Sequence, residues 1–104
     1  MRTIAQQNDD LRRLGAGQVF VTAGIAALPV EDQAAIIDRV RSFDEFTPDN
    51  DPYGEHDFGS LDHRGHRIFW KIDAYDRDLR YGSPDPADPA VTQRVLTIML
   101  AQEY

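Results

Sequence analysis

The sequence predicts an α+β domain in which three helices pack on a small antiparallel sheet containing a hairpin at about residues 56–75. Three observations lead there. Apolar residues recur at helical spacing in 31–43 and again in 91–100. Two runs of alternating apolar and polar residues flank Arg64-Gly65 as a hairpin would. The composition, 41% hydrophobic and 28% charged over 104 residues, is that of a folded chain with room for one small core.

The elements follow in order. Thr3 and Gln6 stand at the spacing of a capping box, Ile4, Leu11 and Leu14 supply an apolar stripe, and Gly15 ends the helix. Gln18-Val19-Phe20-Val21-Thr22 is β-branched and aromatic, bounded by Gly17 and Gly24, and reads as a strand. These glycines precede the strand and no third one opens a helix, so a dinucleotide fold is excluded. Ile36, Ile37, Val40 and Phe43 form one face of a second helix over 31–43, with Pro29 just ahead of it and Asp38, Arg39 and Arg41 opposite. Pro48 and Pro52 bar regular structure from the segment that follows.

Counting outward from an Arg64-Gly65 turn sets the hairpin register: His63 opposite His66, Asp62 opposite Arg67, Leu61 opposite Ile68, Ser60 opposite Phe69, Gly59 opposite Trp70, and Phe58 opposite Lys71. Continued outward, the count sets Asp57 against Ile72 and His56 against Asp73. Leu61, Ile68, Trp70 and Ile72 then share a core face, with Gly59 leaving space for the indole. Arg-Gly is a weaker turn signal than Asn-Gly, so a three-residue loop with shifted pairs stays open. After the proline-rich 82–89, Asp88 as N-cap and Pro89 at the first helical position predict a terminal helix, with Val91, Val95, Ile98 and Met99 as its stripe. The whole of 1–104 reads as one domain with an acidic loop at 44–55.

The net charge of −7 is concentrated. Residues 1–43 balance, as do 63–104, whereas 44–62 holds Asp44, Glu45, Asp49, Asp51, Glu55, Asp57 and Asp62 with no Lys or Arg. The loop is either simply solvated or a patch aimed at a basic partner. It is the opposite of a nucleic-acid footprint, so no direct nucleic-acid binding is expected. There are no cysteines, no apolar run reaches the roughly 18 residues of a membrane span, and the N-terminus lacks a secretory signal. A cytoplasmic location is expected.

Sites for chemistry are sparse. Asp49, Asp51 and Gly54 match positions one, three and six of a calcium loop, but Tyr53 and Ser60 occupy positions that need carboxylate ligands. His56, His63 and His66 invite a metal reading, yet the register sends His56 to the other face and away from the turn, so no metal or other cofactor is expected. His56 with Asp73 is a base-and-orienter pair in that register, without a strong nucleophile beside it. A small hydrolase or metal-dependent enzyme centred on His56, Asp57 and Asp73 is therefore the second reading. The first is a binding or regulatory module acting by protein–protein contact. Its candidate surface is Asp49, Asp51, Tyr53, Glu55, Phe58, Phe69, Tyr75, Arg77 and Tyr81, its expected partner a protein with a basic surface. A homodimer is compatible with the same features. Phe58 and Phe69 are either covered or an exposed patch.

The blocks FTPDNDPYGEHDFG (46–59), FWKIDAYDRDLRYGSPDPADP (69–89) and RVLTIMLAQEY (94–104) resemble a family of small bacterial proteins classed as a domain of unknown function. The resemblance spans roughly 17–104 and is weakest at the N-terminal helix. It implies an origin mainly in alphaproteobacteria, often on plasmids or other mobile elements, and hence a role as an accessory regulator or inhibitor of a host system. It carries no catalytic residue or cofactor.

Overall fold

Thr3 starts the first helix, α1 (Ile4–Leu14), by the reciprocal bonding its sequence predicts: the Gln6 amide donates to Thr3 Oγ1 at 3.1 Å and the Thr3 amide to Gln6 Oε1 at 2.8 Å. Gly15 ends it in the left-handed region at φ 66°, its amide bonded to the Leu11 carbonyl. The computed structural model describes residues 2–15 and 17–104. Leu11 enters the core, but Leu14, assigned to the same stripe from sequence, is 75% exposed. The buried side chains of α1 are instead Asn8, Leu11 and Arg12, so polar groups fill much of its inner face.

Strand β1 (Gln18–Val21) leads into a single helical turn, α2 (Ala23–Ala26), and then α3 (Val30–Arg41). Glu31 and Asp32 sit in the first turn of α3 and Arg39 and Arg41 in its last, each sign opposing the helix dipole. Ile36 and Val40 are fully buried, and Phe43 just beyond the helix joins them. Residues 42–57 contain no helix or strand, as the prolines require.

The hairpin of β2 (Phe58–His63) and β3 (His66–Tyr75) has the predicted register from His63↔His66 to Phe58↔Lys71, and Ile72 N–H donates to the Asp57 carbonyl just beyond it. Arg64 and Gly65 both take positive φ, the geometry of a two-residue turn matched to strand twist. A Cβ on Gly59 would lie inside the Trp70 indole, and that absence lets the ring lie flat against the strand.

The C-terminal segment departs from expectation. Residues Gln93–Leu100 are strand β4, and only Ala101–Glu103 turns helically, as a short 3-10 turn. β4 pairs antiparallel with β3 and parallel with β1, so the sheet is mixed, in the order β1-β4-β3-β2. The α+β class holds, with α2 as the third helix instead of a terminal one. Asp88 caps no helix; its carboxylate accepts from the Ala90 amide in a local turn. β4 lies inside the sheet and is buried on both faces, which explains why its sequence lacks clean alternation.

One sheet face bears the core, with Leu61, Ile68, Trp70, Ile72, Leu96 and Ile98 against Leu11, Ile36, Val40 and Phe43. By register the other carries Phe20, Phe58, Phe69, Tyr75, Val95 and Met99. After the 3-10 turn, Tyr104 returns over this second face edge-on to Phe58 and Phe69, at ring-centroid distances of 6.0 and 5.7 Å. Phe58 and Phe69 are thereby half-covered, while Phe20 remains 54% exposed.

Candidate functional site

The acidic loop is a folded element. Thr47 and Asn50 cap one another: Thr47 N–H donates to Asn50 Oδ1 at 2.8 Å, and Asn50 N–H to Thr47 Oγ1 at 3.2 Å. The Asn50 side-chain amide adds a bond to the Glu45 carbonyl, and Asp51 N–H donates to the Thr47 carbonyl at 2.8 Å. Asp51, placed by sequence on the contact surface, points inward. It is buried, and its carboxylate accepts the backbone amides of Glu55 and His56 at 3.2 Å each. A carboxylate shielded from water needs such donors, so Asp51 organises the loop from within.

His56 closes the loop in a left-handed backbone conformation, φ 54°. Its ring stacks on Phe46 at 3.9 Å with planes 3° apart, Nδ1 lies 3.0 Å from Asp9 Oδ1, and Nε2 lies 3.6 Å from Asp51. Asp73 is not its partner, for that carboxylate pairs with Lys71 Nζ at 2.9 Å. The strand pairing that would bring His56 and Asp73 together stops short because β2 begins at Phe58. Asp57, the third member of the enzyme reading, is half-buried; burial pushes its carboxyl up from the usual value, and the charges of Asp51 and Asp73 add to the rise. The structure thus brings His56 to Asp9 and Asp51, and does not join it to Asp73.

Beneath the loop lies Arg12, which sequence reasoning missed. Its Nη1 donates to the carbonyls of Val40, Arg41 and Phe43 at 3.0, 3.1 and 2.6 Å, capping the end of α3, and Nη2 bonds Asp9 at 2.8 Å. The guanidinium lies over Trp70 and Phe46, 5.1 and 5.5 Å from the ring centroids. Burial lowers its pKa from the ordinary arginine value, though Asp9 acts against that. The only sequence hint was an arginine next to Leu11 in a helix whose apolar stripe is thin.

Outward, the loop presents Asp44, Glu45, Asp49 and Tyr53, the last 86% exposed. Between the loop and β2 a recess of about 340 Å³ is lined in part by Asp44, Glu45 and Asp62 and by Arg39, which donates to the Asp62 carbonyl, while the Asp62 carboxylate pairs with Arg67 at 2.7 Å. Among the described residues neither Asp44 nor Glu45 has an ion-pair partner. Glu55 is half-buried and its carbonyl accepts from Asn8 at 2.8 Å. The remaining predicted contact residues lie on other elements: Phe58, Phe69 and Tyr75 on the second sheet face, Arg77 and the 74%-exposed Tyr81 in the connection from β3 to β4.

The three histidines are dispersed. His63 Nε2 lies 2.8 Å from Asp32 Oδ1, which holds that carboxyl below its usual value with help from Arg64, and His66 is exposed at the turn. Among the described residues no group of three or more His, Cys, Asp or Glu is placed to hold a metal ion, and no helix is long and apolar enough to cross a membrane.

A family model described as a protein of unknown function, DUF3768, matches residues 21–103, and the chain belongs to that family. No curated protein and no solved structure matches it. The matched region holds the acidic loop and the entire hairpin, whereas Asn8, Asp9 and Arg12, on which the loop rests, precede it.

Proposed function

We propose that this chain is a binding module that acts by protein–protein contact, its acidic loop docking on a basic surface of the partner. The observation that carries the reading is the order of that loop. Segments longer than about 12–15 residues without helix or strand are uncommon in compact domains and are usually functional or disordered. This one, 42–57, is held by the Thr47–Asn50 bonds and by buried Asp51, while its unpaired carboxylates and Tyr53 face outward. A preorganised loop loses little entropy on binding, and an exposed tyrosine beside carboxylates supplies both an anchor and steering. The recess beside the loop also holds Arg39, so what it offers a lysine or arginine of the partner is the unpaired carboxylates of Asp44 and Glu45 at its rim. An origin on a mobile element would make the partner a component of the host, and the module its regulator or inhibitor.

The test is a pull-down from bacterial lysate at low and high salt with wild type, Glu45→Gln/Asp49→Asn, and Tyr53→Ala. These positions are exposed, so all three proteins should melt alike by circular dichroism. A partner held by wild type, weakened by salt and lost by both variants is the expected result. Equal capture by wild type and variants would refute docking through the loop.

A further inference from the structure

A groove apart from the acidic loop differs from it in charge character. It has a volume of about 660 Å³, within the range of small-molecule sites, and lies among α1, the residue before β1, and the β3–β4 connection. Its charged lining is Arg2, Asp10, Arg77 and Arg94. Arg2 is spoken for, bonded to Asp10 at 2.6 Å. Arg77 and Arg94 have no carboxylate within ion-pair distance among the described residues.

Arg94 is the more telling of the two. It is only 9% exposed, its Nε donates to Asn8 Oδ1 at 2.9 Å, and its Nη2 bonds the Pro86 carbonyl. Both partners are neutral. Burial depresses its pKa, and the one charge acting in its favour is that of Glu55. A desolvated guanidinium with neutral acceptors retains unspent attraction for an anion, and its planar fork suits an oxyanion. Asn8 and Pro86 fix its orientation before any ligand arrives. Leu11 and Pro89 give the groove apolar walls. Gly17 keeps it open, for a Cβ there would press on the Leu11 side chain.

We propose that this groove binds a small organic anion, an oxyanion group on an apolar body, with the oxyanion at Arg94 and Arg77. The overall charge of −7 opposes anions at long range, but screening over about 8 Å at physiological salt leaves the local arginines in control.

The experiment is ¹⁵N NMR titration of the full chain with phenyl phosphate and benzoate, against benzyl alcohol as the neutral control and inorganic phosphate as the oxyanion alone. Saturable shifts at the Gly17 and Gln93 amides and the Arg94 Nε–H are expected from at least one aromatic anion, with both controls at least ten-fold weaker. Arg77→Gln should weaken that binding about five-fold, since the residue is exposed and its replacement leaves the fold intact. No saturable shift up to about 10 mM, shifts centred on other residues, or unchanged binding by Arg77→Gln would each overturn the proposal. Inorganic phosphate matching the aromatic anions would overturn the apolar part of the assignment.

Discussion

Asp57 shows how a single carboxyl can act against the fold it sits in. It is half-buried between the acidic loop and β2, and desolvation raises its pKa above the ordinary carboxylate value. Between the unfolded and folded pKa values the folded chain retains a proton that the unfolded chain has released, so this group's contribution falls as pH rises through that window. Asp32 and Glu103 act in the opposite sense. Their carboxyls are held low, by the His63 hydrogen bond and by Thr22 and the Leu100 amide respectively, so the stability they confer is present above the unfolded pKa and lost as pH falls. Asp57→Asn isolates the first effect. It should raise Tm at pH 7, and the gain should shrink toward zero as pH falls below the raised pKa, a trend that thermal melts of both proteins across pH 3–8 will read. A gain independent of pH would mean that desolvation of the charge is not the cause.

Elements differ in how plainly the sequence announces them. The hairpin is legible because one turn fixes every pair and an error of one residue would expose Ile68, Trp70 and Ile72 together. The α1 cap and stop are local chemistry, readable from Thr3, Gln6 and Gly15 alone. β4 fails for the opposite reason: a central strand buried on both faces reads as a continuous apolar run, which periodicity cannot separate from a helix. Asp88-Pro89 then resembled a helix start while serving a turn. The role of β4 is visible only with its two neighbours in place, since both partners are remote in sequence. Within the hairpin, Gly59→Ala should cost about 1–3 kcal/mol or more, because the new methyl must displace the Trp70 indole rather than a flexible chain end. Urea denaturation measures this directly, and Ser60→Ala on the opposite, less covered face provides the reference. Equal stability of the two variants would show that the indole has space to move.

At the scale of the whole molecule, the N-terminal helix is the part whose importance sequence comparison conceals. The candidate site was half legible: the charge count located the acidic loop, but the surroundings of His56 depend on Asp9, Arg12 and Phe46 meeting from different elements. Those contacts have no period or motif. The family match begins at residue 21, yet α1 supplies Leu11 to the core, Arg12 to the open end of α3, Asn8 to both Glu55 and Arg94, and Asp9 to His56. Without α1 the Val40, Arg41 and Phe43 carbonyls lose their donor, and the apolar patch around Ile36 and Trp70 meets water. Each hydrogen bond from the charged guanidinium is worth about 1.5–3 kcal/mol net, and burial of a leucine side chain about as much again. Such losses together equal the roughly 5–15 kcal/mol that stabilises an ordinary domain. A chain that begins at residue 17 should therefore show no cooperative melt and should bind a hydrophobic dye, whereas the full chain melts cooperatively. Arg12→Met gives the graded version, in which the helix and Leu11 remain while the guanidinium's bonds to the α3 carbonyls and to Asp9 and its stacking on Trp70 and Phe46 are lost: it should fold with a lowered Tm. A truncated chain that melts like the full one would mean that the sheet and α3 form a self-sufficient core, with α1 merely resting on it.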